Sequence, residues 1–171
     1  MGKKKAAVLV EDLYQVLEVW YPYLRLKEAG IDVTFVGTGK KSYKSKEGYP
    51  VQEDIDIKKA NADEFDAVIV PGGYAPDILR RYNKVNRFIS LMDKKHKVVA
   101  AICHGGWVLA SADVLKGKKA TCFSAIKDDI VNAGATFLDK EVVVDGNLIT
   151  SRNPYDLGAF CREIIRKLDK A

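Results

Sequence analysis

Histidine is scarce in this chain: 171 residues contain two, His96 and His104. Any Cys–His or Ser–His chemistry must use one of them. Cysteine is nearly as rare. Cys103, Cys122 and Cys161 form no CxxC or CxxxC pair. An odd count without paired spacing argues against a disulfide framework and against a zinc site. No Gly-rich loop has the spacing of a phosphate or dinucleotide cradle, so no cofactor and no metal are expected. No apolar run approaches the ~20 residues that span a bilayer. Lys3, Lys4 and Lys5 put positive charge near the start, but the apolar stretch after them covers only residues 6–10 and stops at Glu11 and Asp12. That is too short for a signal peptide, and the expected location is cytoplasmic, away from membranes.

What is present suits one globular α/β or α+β domain over residues 1–171. Hydrophobic residues make up 47% and charged residues 30%. A chain this long buries roughly 70% of its unfolded surface and needs no covalent staple. Lys and Arg outnumber Asp and Glu by 28 to 23, giving +5 and a pI near 9.0. Nucleic acid is the partner to consider at that value. The basic residues are scattered, however, in short clusters such as Lys40-Lys41, Arg80-Arg81 and Lys94-Lys95. No recognition motif accompanies them, so they read as solvated surface and no nucleic-acid partner is expected.

The hydrophobic pattern alternates short strands with helices. Residues 6–10 are a buried strand with acidic residues directly after it. Residues 15–29 have an apolar helical face, contain Pro22 and end at Gly30. Residues 31–36 alternate as a second strand, and 37–54 read as a surface loop or small hairpin. Residues 66–70 and 97–102 are further buried strands, with a helix or helix pair over 77–95 between them. A helix starts near 104, a strand covers 119–123 and a helix 124–133. Residues 136–144 and 147–151 read as two strands joined by the turn Asp145-Gly146-Asn147. A last helix covers 155–168 behind Pro154. This alternation predicts a mostly parallel sheet covered on both faces, with the active crevice at the C-terminal strand ends.

Three segments fall there: the acidic loop and first helix turn (residues 11–18), Pro71-Gly72-Gly73, and Cys103-His104-Gly105. The run Val98 to Ala110 is strand, cysteine, then helix, with small residues at the turn, which is the layout of a nucleophile elbow. Unpaired N–H groups at such a turn favour a thiolate. The bland alternative for Cys103 is a small buried hydrophobe. Glycines after a strand let backbone N–H groups approach a substrate, so Gly72 and Gly73, with the His104 N–H, are the candidate oxyanion and substrate-binding groups. The alternative is an ordinary strand-to-helix turn.

Several of these segments together resemble the PfpI family of intracellular cysteine proteases. They are Ala101-Ile102-Cys103-His104-Gly105, Pro71-Gly72-Gly73-Tyr74-Ala75-Pro76, Tyr21-Pro22-Tyr23, Ile126-Lys127-Asp128-Asp129, Asn132-Ala133-Gly134-Ala135, Val142-Val143-Val144-Asp145-Gly146-Asn147 and Ser151-Arg152. The family includes glyoxalase III and protein deglycase enzymes and is related to class I glutamine amidotransferases. The resemblance runs from about residue 5 to 168. It implies a flavodoxin-like three-layer sandwich with Cys103 as nucleophile and a helix carboxylate, here Glu18, beside the sulfur. It also implies an acidic partner for His104 from a neighbouring subunit. The matching residue is Asp77, where Glu is usual, so a homo-oligomer, dimer or hexamer, is expected. Gly105-Gly106 stands where Gly-Pro is more frequent, and Gln15 where an acid is frequent.

An ionised carboxylate raises a neighbouring thiol's pKa, whereas a protonated one donates to the thiolate. The implied mechanism therefore needs a neutral, buried Glu18. His104 reads either as general base or as pocket lining. His96 reads as surface, and Cys122 and Cys161 as core, one in a strand and one in a helix. The expected activity is a cysteine-dependent hydrolase, acting on a peptide carbonyl or on a small aldehyde such as methylglyoxal. The alternative is a non-enzymatic stress-response chaperone or a sensor in which Cys103 is oxidised.

Overall fold

The computed structural model describes residues 2–170. Its elements are β1 (Lys5–Leu9), α1 (Val16–Glu28), β2 (Asp32–Gly37), β3 (Ser42–Lys44), β4 (Pro50–Gln52), β5 (Ile55–Asp56), β6 (Ala67–Val70), α2 (Ala75–Leu79), α3 (Asn83–Lys94), β7 (Val98–Ile102), α4 (Gly106–Ser111), β8 (Lys119–Ala120), α5 (Lys127–Asn132), β9 (Thr136–Phe137), β10 (Val142–Asp145), β11 (Leu148–Ser151) and α6 (Leu157–Leu168). Seven strands form the main sheet in the order β10-β11-β7-β6-β1-β2-β5. All neighbours are parallel except β10 and β11, which form an antiparallel hairpin at one edge.

The strand order explains the layers. The connection from β1 through α1 to β2 moves toward one edge, whereas that from β6 through α2 and α3 to β7 moves toward the other. Right-handed crossovers then place these helices on opposite faces. Accordingly α1 packs with α6, and α3 packs on β6 and β7 with α4 beside it. The three middle strands are covered on both faces. Residues 6–9 of β1, 67–70 of β6 and 98–102 of β7 are at most 3% exposed, which is why they read as continuous apolar runs. The chain reverses direction between β1 and β6, the switch point where a doubly wound sheet opens a crevice.

Pro22 lies inside α1 without ending it. The helical bond it deletes is the one to the Glu18 carbonyl four residues earlier. The hairpin expected within 37–54 is β3–β4, closed by Tyr43 opposite Val51. The short edge strand β5 after it was not foreseen.

Two strand assignments need correction. Residues 136–144 are not one strand: β9 pairs with β8 in a separate two-stranded sheet, and β10 pairs with β11. The expected strand at 119–123 stops at Ala120. There the Thr121 N–H turns to the Thr150 hydroxyl at 2.9 Å instead of continuing a ladder. Cys122 therefore follows β8 rather than lying in it. Cys122 and Cys161 are both buried, and His96 is exposed. No helix among the described residues is long and apolar enough to cross a membrane.

Candidate active site

Cys103 sits where β7 ends and a single 3-10 turn, Cys103–Gly105, leads into α4. Its φ is +59°, a left-handed conformation that costs a non-glycine residue on the order of 1–2 kcal/mol. The surrounding contacts hold it there. A Cβ on Gly105 would lie 2.6 Å from the Val70 carbonyl oxygen, so only glycine lets the turn pack this closely on β6. The sulfur points out of the strand and receives the backbone N–H groups of His104 and Gly73. Cys103 is 8% exposed, at the floor of a pocket of about 220 Å³.

Glu18 is fully buried in the first turn of α1. Gln15 caps that helix, its side-chain oxygen accepting the Glu18 N–H at 3.0 Å. The loop before it is pinned from both sides: the Gln15 N–H donates to the Gly72 carbonyl at 3.3 Å and the Tyr74 N–H to the Leu13 carbonyl at 2.9 Å. One carboxylate oxygen of Glu18, Oε2, accepts the Gly72 N–H at 2.7 Å. The other, Oε1, is buried without an N or O partner. A buried carboxyl with an unpaired oxygen is better off holding a proton. Burial pushes Glu18 up to about 7, against the pull of the Gly72 N–H and the Cys103 thiol.

Gly72 is the hinge between acid and sulfur. An added Cβ would stand 2.4 Å from Glu18 Oε2, 2.7 Å from Cys103 Cβ and 3.0 Å from Cys103 Sγ. Absence of a side chain at this position is what lets the two groups meet. The expected role of Gly72 as an oxyanion donor is corrected here, because its N–H is already committed to Glu18. The N–H groups beside the sulfur belong to Gly73 and His104. Gly73 adopts φ +77°, and an added Cβ would lie 2.5 Å from the Leu13 carbonyl oxygen and the Gln15 nitrogen.

Burial and the Glu18 charge push the Cys103 thiol up to about 12, against the two N–H donors. The carboxylate charge is the removable part of that penalty. With the proton on Glu18, the same carboxyl becomes a third donor to sulfur. His104 Nδ1 lies 3.2 Å from Sγ. Its ring stacks on Phe123, centroids 5.1 Å apart, and meets Trp107 edge-on at the same distance. Burial, then the charge of Lys46, holds the imidazole below its ordinary 6.5, so it is neutral at pH 7.

This geometry has counterparts. The chain matches the DJ-1/PfpI family over residues 4–167. Deglycase PfpI of Pyrococcus furiosus is 43% identical over 164 residues, covering 96% of this chain and 99% of that one. Deglycase PH1704 of Pyrococcus horikoshii has the same identity and coverage. The chain belongs to the DJ-1/PfpI family. Among solved structures, Drosophila melanogaster DJ-1beta superposes with a TM-score of 0.92 at 30% identity, covering 98% of this chain and 91% of that one. A two-domain protein from Anabaena variabilis, with dj-1/thij/pfpi-like and ferritin-like domains, superposes with a TM-score of 0.96 at 46% identity. This chain covers 48% of that longer protein. The architecture is thus the flavodoxin-like α/β sandwich of DJ-1/PfpI proteins.

Within this DJ-1/PfpI framework, Cys103, His104, Glu18 and Gly73 line one pocket, and Gly72 holds Glu18 there through its N–H. Asp77 does not join them within the chain. It lies on α2, half-exposed, and its carboxylate pairs with Arg81 one turn on. Glu11 and Asp12, in the acidic loop after β1, hold the neighbouring turn: Glu11 accepts the Thr38 hydroxyl, and Asp12 pairs with Lys40 and accepts the Lys44 N–H at 2.9 Å. Sequence reasoning missed Lys46, Tyr74, Phe123 and Pro154 as pocket lining. Phe123, three residues past β8, and Lys46, in the β3–β4 turn, arrive from distant segments, and no local pattern marks them. Tyr74 was within reach, since it directly follows the Gly72-Gly73 pair. Among the described residues no group of three His, Cys, Asp or Glu side chains could hold a metal ion.

Proposed function

We propose that this protein is a cysteine-dependent enzyme acting on carbonyl adducts in the manner of a deglycase, with Cys103 as nucleophile and Glu18 as proton carrier. One observation carries the reading: a sulfur on the pocket floor at a left-handed turn, receiving two N–H groups and pressed against a carboxyl that burial pushes up to about 7. A group poised near ambient pH can both give and take a proton within one turnover.

For an aldehyde such as methylglyoxal, the Cys103 thiol passes its proton to ionised Glu18, and the resulting thiolate adds to the aldehyde carbon. The C–S bond forms, and the carbonyl π pair moves to oxygen, which takes the Glu18 proton. The N–H groups of Gly73 and His104, already beside the sulfur, stabilise the charge as it develops on oxygen. Ionised Glu18 then removes the hydrogen from the former aldehyde carbon, giving an enediolate, and returns a proton to the adjacent carbon, while the hydroxyl proton of the first carbon passes to the oxygen of the second, leaving a thioester. Water, deprotonated by neutral His104, hydrolyses the thioester. The balance is methylglyoxal plus water to lactate and a proton. For an aldehyde adduct on an amine, the amine leaves as the C–S bond forms.

Cys103→Ser is expected to lower turnover of methylglyoxal and of a methylglyoxal-treated peptide by about 10³-fold or more. Lactate release and peptide mass report the two reactions, and unchanged rates would remove Cys103 from the chemistry. Retained suppression of client aggregation by the serine variant, with no turnover in either form, would favour the chaperone reading.

We propose further that Asp77 of one copy serves His104 of another in a dimer or hexamer. Leu17, Tyr21 and Leu24 leave an apolar stripe on α1 at 52%, 40% and 59% exposure, and such a stripe supports self-association. Sedimentation velocity of the full chain tests this, and a monomer at micromolar concentration would refute it.

A further inference from the structure

The turn between β3 and β4, residues 45–49, contributes Lys46 to the lining of the catalytic pocket. These two strands form a sheet of their own, apart from the seven-stranded one. Residues 13–15 tie their turn to the site. The Leu13 N–H donates to the Lys44 carbonyl at 2.7 Å, and the Lys46 N–H donates to the Tyr14 carbonyl at 2.9 Å. On its other side Tyr14 bridges Gly73 in antiparallel register. One short segment thus carries the turn along one edge and the Gly73 donor along the other.

Any residue at position 14 would make those backbone bonds. The tyrosine side chain adds a further one. Tyr14 is fully buried. Its hydroxyl donates to the Tyr49 carbonyl at 2.7 Å and accepts the Trp20 indole N–H at 3.3 Å. Burial pushes the phenol above its ordinary 10, so the hydroxyl keeps its proton and stays a donor. The Tyr49 carbonyl also takes the Ser45 N–H at 2.8 Å. The Tyr14 hydroxyl therefore grips the turn where its two ends are joined. Phenylalanine would fill the same space but leave the indole N–H unpaired and the turn released on that side.

Lys46 cannot hold itself in place. Its ammonium lies 3.7 Å from Glu47, the next residue, and both side chains are well exposed. An exposed pair of this kind contributes little. The backbone of the turn sets where the lysine stands. The charged or ionisable groups around His104 are Lys46 and Glu47 from this turn, Glu18 from α1 and the Cys103 thiol. Of these, Lys46 adds to burial in holding the imidazole low.

We propose that Tyr14 is a positioning residue, whose hydroxyl locks the β3–β4 turn to the segment facing Gly73 and so keeps Lys46 at the catalytic pocket. Tyr14 touches neither substrate nor reacting atoms. The proposal rests on the proposed function only where turnover is measured.

The test combines Tyr14→Phe, Lys46→Met, the double variant and Ile89→Val, a core change on α3 that gives a comparable loss of stability without touching the turn. The His104 imidazole is titrated by NMR in each. Tyr14→Phe should raise the His104 pKa by at least half the rise that Lys46→Met gives, and should add nothing in the Lys46→Met background. Ile89→Val should leave it unmoved. With methylglyoxal, kcat of Tyr14→Phe should fall about fivefold, the size of one net hydrogen bond, with KM little changed. An unmoved His104 in Tyr14→Phe, an equal rise in Ile89→Val or additive rises in the double variant would overturn the proposal. So would wild-type kcat in Tyr14→Phe. The expected titrations in a wild-type protein that turns nothing over would leave the Tyr14 lock standing and refute the proposed reaction.

Discussion

The Cys103 sulfur and the His104 Nδ1 are 3.2 Å apart although the residues are consecutive. Neighbouring side chains at the end of an extended strand point to opposite faces. Here the left-handed φ of Cys103, +59°, turns the backbone so that both side chains reach the same pocket. The strained turn thus places the imidazole beside the sulfur without help from another segment. It is the kind of backbone cost that persists when surrounding structure enforces it. Phe123 and Trp107 then fix the ring plane.

Glu18 links activity to stability. Its pKa rises from 4.5 to about 7 on folding. The native state therefore holds more protons than the unfolded chain between those values, and stability falls as pH rises through that window. Above pH 7 the buried charge costs roughly 3 kcal/mol. Glu18→Gln cannot ionise, so its stability gain over wild type should grow from pH 5 to pH 8 and then level off. Urea midpoints at unit pH steps measure this. A constant difference between the two proteins would mean that Glu18 is charged throughout. The same variant cannot transfer a proton, and kcat should fall by about 10²–10⁴.

Gly72→Ala tests the close approach of acid and sulfur. The new Cβ would stand 2.4 Å from Glu18 Oε2 and 2.7 Å from Cys103 Cβ. Cys103 Cβ is fixed to its own backbone, and Glu18 Oε2, though the end of its side chain, is buried and held by the Gly72 N–H. Stability should drop by about 1–3 kcal/mol, as in other overpacked interiors. Displacing the reacting groups by a fraction of an ångström to an ångström should lower kcat by about 10²-fold. Wild-type kcat in a folded Gly72→Ala protein would show that Glu18 and Cys103 need not touch.

Lys46 adds positive potential to the pocket and, after burial, depresses the His104 pKa. Lys46→Met should therefore raise the His104 pKa toward its ordinary value of 6.5. Titration of the imidazole C–H resonances by NMR reads the shift, with exposed His96 as internal reference. The Lys46 contribution should shrink in high salt, since this lysine is about half-exposed. An unmoved His104 titration would mean that the ammonium points away in solution.

Much of the architecture was legible because buried parallel strands and amphipathic helices carry local patterns. The runs at 6–10, 66–70 and 97–102 are apolar since both faces are covered. The crevice at their C-terminal ends follows from strand alternation alone. Cys103 and Gly73 were marked by the elbow segment and the Pro71-Gly72-Gly73 turn, whereas Glu18 was marked only through the family resemblance, which implies a helix carboxylate four residues before Pro22. The 136–144 run was misread because alternation cannot say which partner a strand takes, and β9 and β10 pair in different sheets.

The sequence by itself determined the parallel sheet and the three strand ends where chemistry sits, because periodicity and turn residues are local properties of the chain. Only the tertiary structure decided that the Gly72 N–H belongs to Glu18, that His104 meets Cys103, and that Lys46 and Phe123 arrive from distant loops. Those outcomes depend on register and on excluded volume between segments far apart in sequence. Neither quantity is encoded in any short stretch of residues.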